Sequence, residues 1–179
     1  RVLPAQRHRE RDRYTQVVIV GGGLVIRDRE SFDRWYPRHL DEVMSLVDKH
    51  YVRIGGDVEK VLPFLEPYGD RIVWEPQYDD FGRFQEDAER QALLDWALST
   101  RGAEWMAVFD ADEVIEQGGG KALRERLLGY RDRIRTVAVW LNYTSHHRPG
   151  YVITERIGVT WRAFRLDAHA REYRFQADE

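Results

Sequence analysis

The chain contains no cysteine. Disulfide bonds, zinc–thiolate sites and thiol nucleophiles are therefore excluded, and the lack fits a reducing, cytoplasmic setting. Long apolar runs are missing too. Nothing approaches the roughly 20 apolar residues of a membrane-spanning helix, and mean hydropathy is −0.63. The first fifteen residues are rich in charge and carry no secretory-signal pattern. Nor is there an excess of one charge: 28 Lys and Arg stand against 31 Asp and Glu, a net charge of −3. That balance supplies no general drive toward nucleic acid. Low-complexity linkers and internal repeats are also absent.

What remains is a globular composition, with 179 residues, 42% hydrophobic and 12% aromatic. This suits one domain with a sizeable core. Residues 1–15 read as a basic N-terminal tail and 16–179 as a single domain, with a change of rhythm after residue 116. Because the chain starts at Arg1 rather than Met, further residues are expected before it.

Strand and helix signals alternate through the first hundred residues. A β-branched run at 16–20 stops at Gly21-Gly22-Gly23 and reads as a buried strand. Helical spacing of Phe32, Trp35, Tyr36, Leu40, Val43 and Val47 predicts a helix over 31–47, kinked at Pro37 or starting near Tyr36. A second strand at 50–54 ends at Gly55-Gly56, and 58–65 reads as a short helix. A third strand covers 71–74, and a helix with Ala88, Ala92, Leu93, Trp96 and Ala97 on one side follows. The fourth strand is 105–109. This order predicts an α/β fold with a mostly parallel sheet, whose ligands bind beyond the carboxyl ends of the strands. Later, Gly118-Gly119-Gly120 reads as a flexible hinge or loop before a helix bearing Leu123, Leu127 and Leu128. Strands at 136–143 and 158–166 predict antiparallel additions.

The fourth strand carries the most chemistry. It runs into Phe109-Asp110-Ala111-Asp112-Glu113. If extended geometry persists, Asp110 and Asp112 share a face, whereas Glu113 points away and pairs with a nearby Arg. Two such carboxylates form a hard-oxygen site for Mg²⁺ or Mn²⁺ with a phosphate ligand. The plainer alternative is a turn that happens to be acidic. Arg148, Arg156 and Arg162 are available to neutralise phosphate, and His146 and His147 sit in a polar loop.

A dinucleotide oxidoreductase is disfavoured. Val17 to Gly23 begins like a dinucleotide fingerprint, but Ile26 stands where a third small residue belongs, and the second strand ends without a ribose-binding acid.

In that context residues 105–113 resemble the glycosyltransferase family 2-like group with a GT-A fold and an Asp-x-Asp metal motif. Residues 27–35, Ile54-Gly55-Gly56-Asp57, 65–72 and 90–97 extend the resemblance over about residues 16–145. It implies a nucleotide-diphospho-sugar transferase fold, with 16–116 as nucleotide-binding half and 117–179 as acceptor-side half. It further implies an inverting, metal-dependent transfer of a sugar from a nucleotide-diphosphate donor to an acceptor hydroxyl. Asp112 would ligate Mn²⁺ or Mg²⁺, and Asp110 would share the metal site or contact the ribose or donor sugar. Gly21, Asp57 and Arg90 would frame the nucleotide. Asp178, Glu179 and Glu155 are the candidate bases. Two departures stand out: Arg53-Ile54 replace the family's acid at the end of strand two, and no base is evident in the expected place.

Two other functions fit the same residues. A nucleotidyltransferase of sugar-phosphate type also uses paired acids and Mg²⁺, and Gly21-Gly22-Gly23 followed by Arg27 and Arg29 partly matches its phosphate loop. A degenerate, non-catalytic GT-A binding module is the third.

Overall fold

The computed structural model describes residues 17–26, 32–77, 86–110, 113, 115–130, 134–140, 143–144, 152–153 and 159–167. In chain order these form β1 (Val18–Ile26), α1 (Phe32–Leu46), β2 (Lys49–Gly55), α2 (Val58–Leu65), a 3₁₀ turn (Glu66–Arg71) and β3 (Ile72–Pro76). Next come α3 (Glu86–Ser99), β4 (Ala103–Val108), α4 (Gly119–Gly129), β5 (Thr136–Trp140), β6 (Tyr143–Thr144), β7 (Val152–Ile153) and β8 (Val159–Arg165).

Six strands form one sheet in the order β3-β2-β1-β4-β8-β5. The first four are mutually parallel; β8 runs antiparallel to β4, and β5 antiparallel to β8. The predicted mostly parallel α/β sheet with antiparallel additions is thus observed. Strands β6 and β7 make a separate antiparallel ribbon.

Side-chain alternation gives the sheet two apolar faces. On one, Ile19, Val52, Ile54, Trp105 and Ala107 pack under Tyr36, Leu40 and Val43 of α1, with Val61 of α2 and Leu127 of α4. On the other, Val20, Tyr51, Met106 and Val108 meet Leu93, Leu94 and Ala97 of α3. Among the described residues Trp105 is the largest fully buried side chain. Its ring lies 6.3 Å from that of Tyr130 and 5.6 Å from the Arg165 guanidinium carbon. Burying such a ring removes about 200 Å² from water, a gross gain of about 5 kcal/mol.

Three expectations need correcting. The first strand does not stop at Gly21-Gly22-Gly23; β1 runs through them to Ile26. The glycines are needed inside the sheet instead. A Cβ at Gly21 would sit 2.6 Å from His50 Nδ1, and one at Gly23 would overlap the Phe109 carbonyl oxygen. Residues 118–120 form a helix start rather than a hinge. Gly118 caps α4 at φ 79°, and the Glu42 carboxylate accepts the Gly118 and Gly120 amides at 2.8 and 3.1 Å. Finally, the buried side of α3 is rotated: Glu89, Leu93, Leu94 and Ala97 face inward while Ala88 is exposed. Glu89 turns in because Arg53 on β2 meets it at 2.6 Å.

Helix α1 passes through Pro37. No helix among the described residues is long and apolar enough to cross a membrane.

Candidate functional site

The parallel strands direct their carboxyl ends to one edge of the sheet, and the acidic segment leaves β4 there. The ladder continues one step beyond β4, where Phe109 N–H donates to Gly22 O at 3.1 Å. That contact places Asp110 beside β1, near the middle of the six-stranded sheet. By alternation Asp110 follows Met106 and Val108 onto the face covered by α3. There Arg90 of α3 donates to both carboxylate oxygens, at 2.9 and 2.5 Å. The two side chains are largely buried, at 13% and 23% exposure. A bidentate guanidinium holds a carboxylate in one plane as well as balancing its charge.

Extended backbone does not continue to Glu113. Its N–H returns to the Asp110 carbonyl at 2.9 Å, and its Oε2 accepts the Asp110 N–H at 3.0 Å. The expected sharing of a face by Asp110 and Asp112 falls on Asp112, which lies outside the described residues. The predicted Arg partner of Glu113 is found: Arg162 on β8 bonds Oε1. From the opposite face of the sheet, His39 of α1 donates its Nδ1 proton to the Glu113 carbonyl at 2.6 Å. Burial raises the Glu113 carboxyl above its ordinary value, with the Asp110 amide and the Arg162 charge pulling the other way.

A second charged group lies farther along the same face. Arg53 on β2 bonds Glu89 at 2.6 Å and Glu75 of β3 at 2.6 Å. Tyr51 donates to the same Glu75 oxygen at 2.7 Å. Charge compensation from two strands and a helix lets an arginine occupy a position where an acid was expected. Burial pushes the Tyr51 phenol up.

The remaining expectations divide clearly. Arg90 and Asp110 come together. Asp57 follows the β2 end, but there it pairs with Lys60 at 2.6 Å on the surface. Gly21 lies buried in mid-strand against His50 and Val47, so its expected place in a nucleotide loop is corrected. Both Asp110 oxygens are taken by Arg90, which sets Asp110 against a simple role as metal ligand. Among the described residues no three His, Asp or Glu side chains form a metal-holding group. Asp112, Glu155, Asp178 and Glu179 lie outside the described residues, as do His146, His147, Arg148 and Arg156.

His39, Glu89 and the partners of Arg53 escaped the sequence reading. His39 sits on the apolar face of a predicted helix, where only the distant Glu113 carbonyl gives it a task. Glu89 is adjacent to Arg90, and its acidity inside an apolar stripe was the one available signal.

No family model matches the sequence, and no curated protein matches it. Among solved structures, Rv0371c from Mycobacterium tuberculosis H37Rv is similar at 16% identity, covering 62% of this chain and 59% of that one, with a TM-score of 0.42. The same protein in complex with manganese gives 16% identity, 62% and 58% coverage, and a TM-score of 0.41. A 4-diphosphocytidyl-2C-methyl-D-erythritol synthase gives 14% identity, 84% and 73% coverage, and a TM-score of 0.46. The chain thus spans less than two thirds of the length of Rv0371c.

Proposed function

We propose that the chain is a divalent-cation-dependent transferase acting on a nucleotide-activated donor at the carboxyl edge of β1, β2 and β4. The observation that carries this reading is the Asp110–Arg90 pair at the end of β4, two residues before Asp112. Open α/β sheets bind ligands at that edge. In this reading Asp112 would hold a divalent cation such as Mg²⁺ or Mn²⁺, which take oxygen ligands. Such a cation would supply charge stabilisation for a departing phosphate group. Arg90 keeps the Asp110 carboxylate fixed for the ribose or donor sugar. A carboxylate must still take the acceptor's proton, and Glu155, Asp178 and Glu179 remain the candidates.

Two chemistries share these parts. The resemblance in residues 105–113 supports glycosyl transfer, in which the acceptor hydroxyl attacks the anomeric carbon and a nucleoside diphosphate departs. The extension of β1 to Ile26 favours the second, nucleotidyl transfer. In sequence Arg27 and Arg29 follow the strand end, and in this reading they would grip a triphosphate. There a sugar phosphate attacks the α-phosphorus and pyrophosphate departs.

Product analysis with Mn²⁺ separates them. Nucleoside diphosphate released from nucleotide sugars supports glycosyl transfer; pyrophosphate released from nucleoside triphosphates supports nucleotidyl transfer. No turnover with either panel favours a binding module. Calorimetry on Asp112→Ala tests the cation role, which unchanged Mn²⁺-dependent nucleotide binding would sink.

A further inference from the structure

The β2–β3 ladder runs one step past β3, where Gln77 N–H donates to Ile54 O at 2.8 Å. Pro76 pairs with Ile54 in the register, so Gln77 comes level with Gly55 at the carboxyl edge of the sheet. By alternation Gln77 follows Val73 and Glu75 onto the face covered by α3. Its side-chain Nε2 is buried there and has no hydrogen-bond partner among the described residues. The carboxylates on that face are committed elsewhere. Glu75 accepts from Tyr51 and Arg53, and Glu89 accepts from Arg53. His50 Nδ1 is likewise unmet, but it lies in mid-strand against Gly21, away from the edge.

We propose that Gln77 reads the base of the nucleotide donor, its amide hydrogen-bonded to the base's polar edge. This rests on the reading of the chain as a transferase of nucleotide-activated donors, and not on any residue's holding a cation. Three features support a planar, uncharged ligand. A glutamine amide sets a donor beside an acceptor, which matches the paired groups on a base edge. Gly55 and Gly56 offer main chain without side chains next to Gln77, and a Cβ at Gly56 would meet nothing within 4 Å. A flat ring can approach such backbone closely. Lastly, Arg53 is balanced by Glu75 and Glu89, so the neighbourhood is polar without being cationic. That suits a base better than a phosphate. A glutamine serving the fold alone would have its buried amide met within it, as buried polar groups nearly always are.

Gln77→Met keeps the unbranched shape and removes the amide. Calorimetry in magnesium buffer compares UDP, CDP, GDP and ADP with inorganic pyrophosphate, and thermal unfolding is followed without ligand. Phosphate and cation contacts enter both sides of that comparison, so the difference isolates the base. The wild type is expected to bind at least one nucleoside diphosphate more tightly than pyrophosphate. Gln77→Met is expected to lose about tenfold for that nucleotide and to keep its affinity for pyrophosphate. It should melt at or above the wild-type temperature, because an unmet donor has been removed. Unchanged nucleotide affinity, or an equal loss for pyrophosphate, overturns the base-reading role and leaves the donor reading standing. A melting temperature lowered by several degrees does the same, since the amide would then be bonded within the fold. A wild type that binds none of the nucleotides overturns the donor reading, and the role of Gln77 with it.

Discussion

His39 and Glu113, 74 positions apart in sequence, are joined by a 2.6 Å hydrogen bond from the imidazole Nδ1 to the main-chain carbonyl oxygen. His39 is 1% exposed, and its ring stacks on Tyr36 at 5.7 Å. Through this bond the helix beneath one face of the sheet holds the acidic turn at its edge. His39→Phe keeps the stack and leaves the carbonyl without its donor. Stability should fall by about 1–3 kcal/mol, the cost of an unmet polar group. Urea unfolding measures it, and a loss below about 0.5 kcal/mol would remove His39 from the turn's supports.

The Arg90–Asp110 pair should behave as a coupled unit. Arg90→Met leaves a mostly buried carboxylate without its counter-charge, which should cost about 2–3 kcal/mol. Adding Asp110→Asn should recover much of that loss. A double-mutant cycle in denaturant is expected to give a coupling of about 2 kcal/mol. Additive effects would show that the bidentate contact contributes nothing beyond its parts.

Acid should destabilise the protein through His50. This fully buried imidazole is pushed down to about 3 from its ordinary 6.5 by desolvation, with His39 nearby adding to the effect. The folded state thus keeps His50 neutral where the unfolded chain protonates it. Its contribution is fully present above about pH 6.5 and is lost as pH falls from there toward about 3, at up to about 1.4 kcal/mol per unit. Glu113 works in the opposite direction: burial raises its carboxyl, so the folded state takes up that proton more readily than the unfolded chain and acid through its range favours folding. His50→Gln should therefore flatten the profile between pH 6.5 and 5 without making it level. A slope identical to the wild type would show that His50 is not the source.

Gly120 permits the close crossing of α1 and α4. A Cβ there would run into the Glu42 carbonyl oxygen and the Ser45 hydroxyl, both on α1. Gly120→Ala should lower stability by about 1–3 kcal/mol, as overpacking does. Gly129→Ala meets nothing within 4 Å. That substitution should be neutral or stabilising by about 0.5 kcal/mol, because it restricts only the unfolded chain. Equal changes in the two melting temperatures would contradict the crossing.

Local pattern alone located most elements. The short helix at Val58–Leu65 and the strand ending at Gly55 are set by apolar spacing and by turn residues next to them, so the order of strands and helices was legible. The acidic end of β4 and the proximity of Arg90 to it could be inferred from sequence motifs. What lay beyond reach depends on partners distant in the chain. Glycine in a run usually signals a turn, yet Gly21 and Gly23 stay in β1 because His50 and the Phe109 carbonyl crowd them. Arg53 reads as a misplaced cation until Glu75 and Glu89 arrive from other elements. Glu113 reads only as a residue paired with a nearby Arg, because its bonds to Arg162 and His39 exist only once β8 has joined the sheet beside β4 and α1 has packed on one face. The sequence by itself determined which segments become strands and helices, since that follows from short-range periodicity. Tertiary structure alone decided which charges meet, since a buried charge is placed by whichever element brings its counterpart within hydrogen-bond reach.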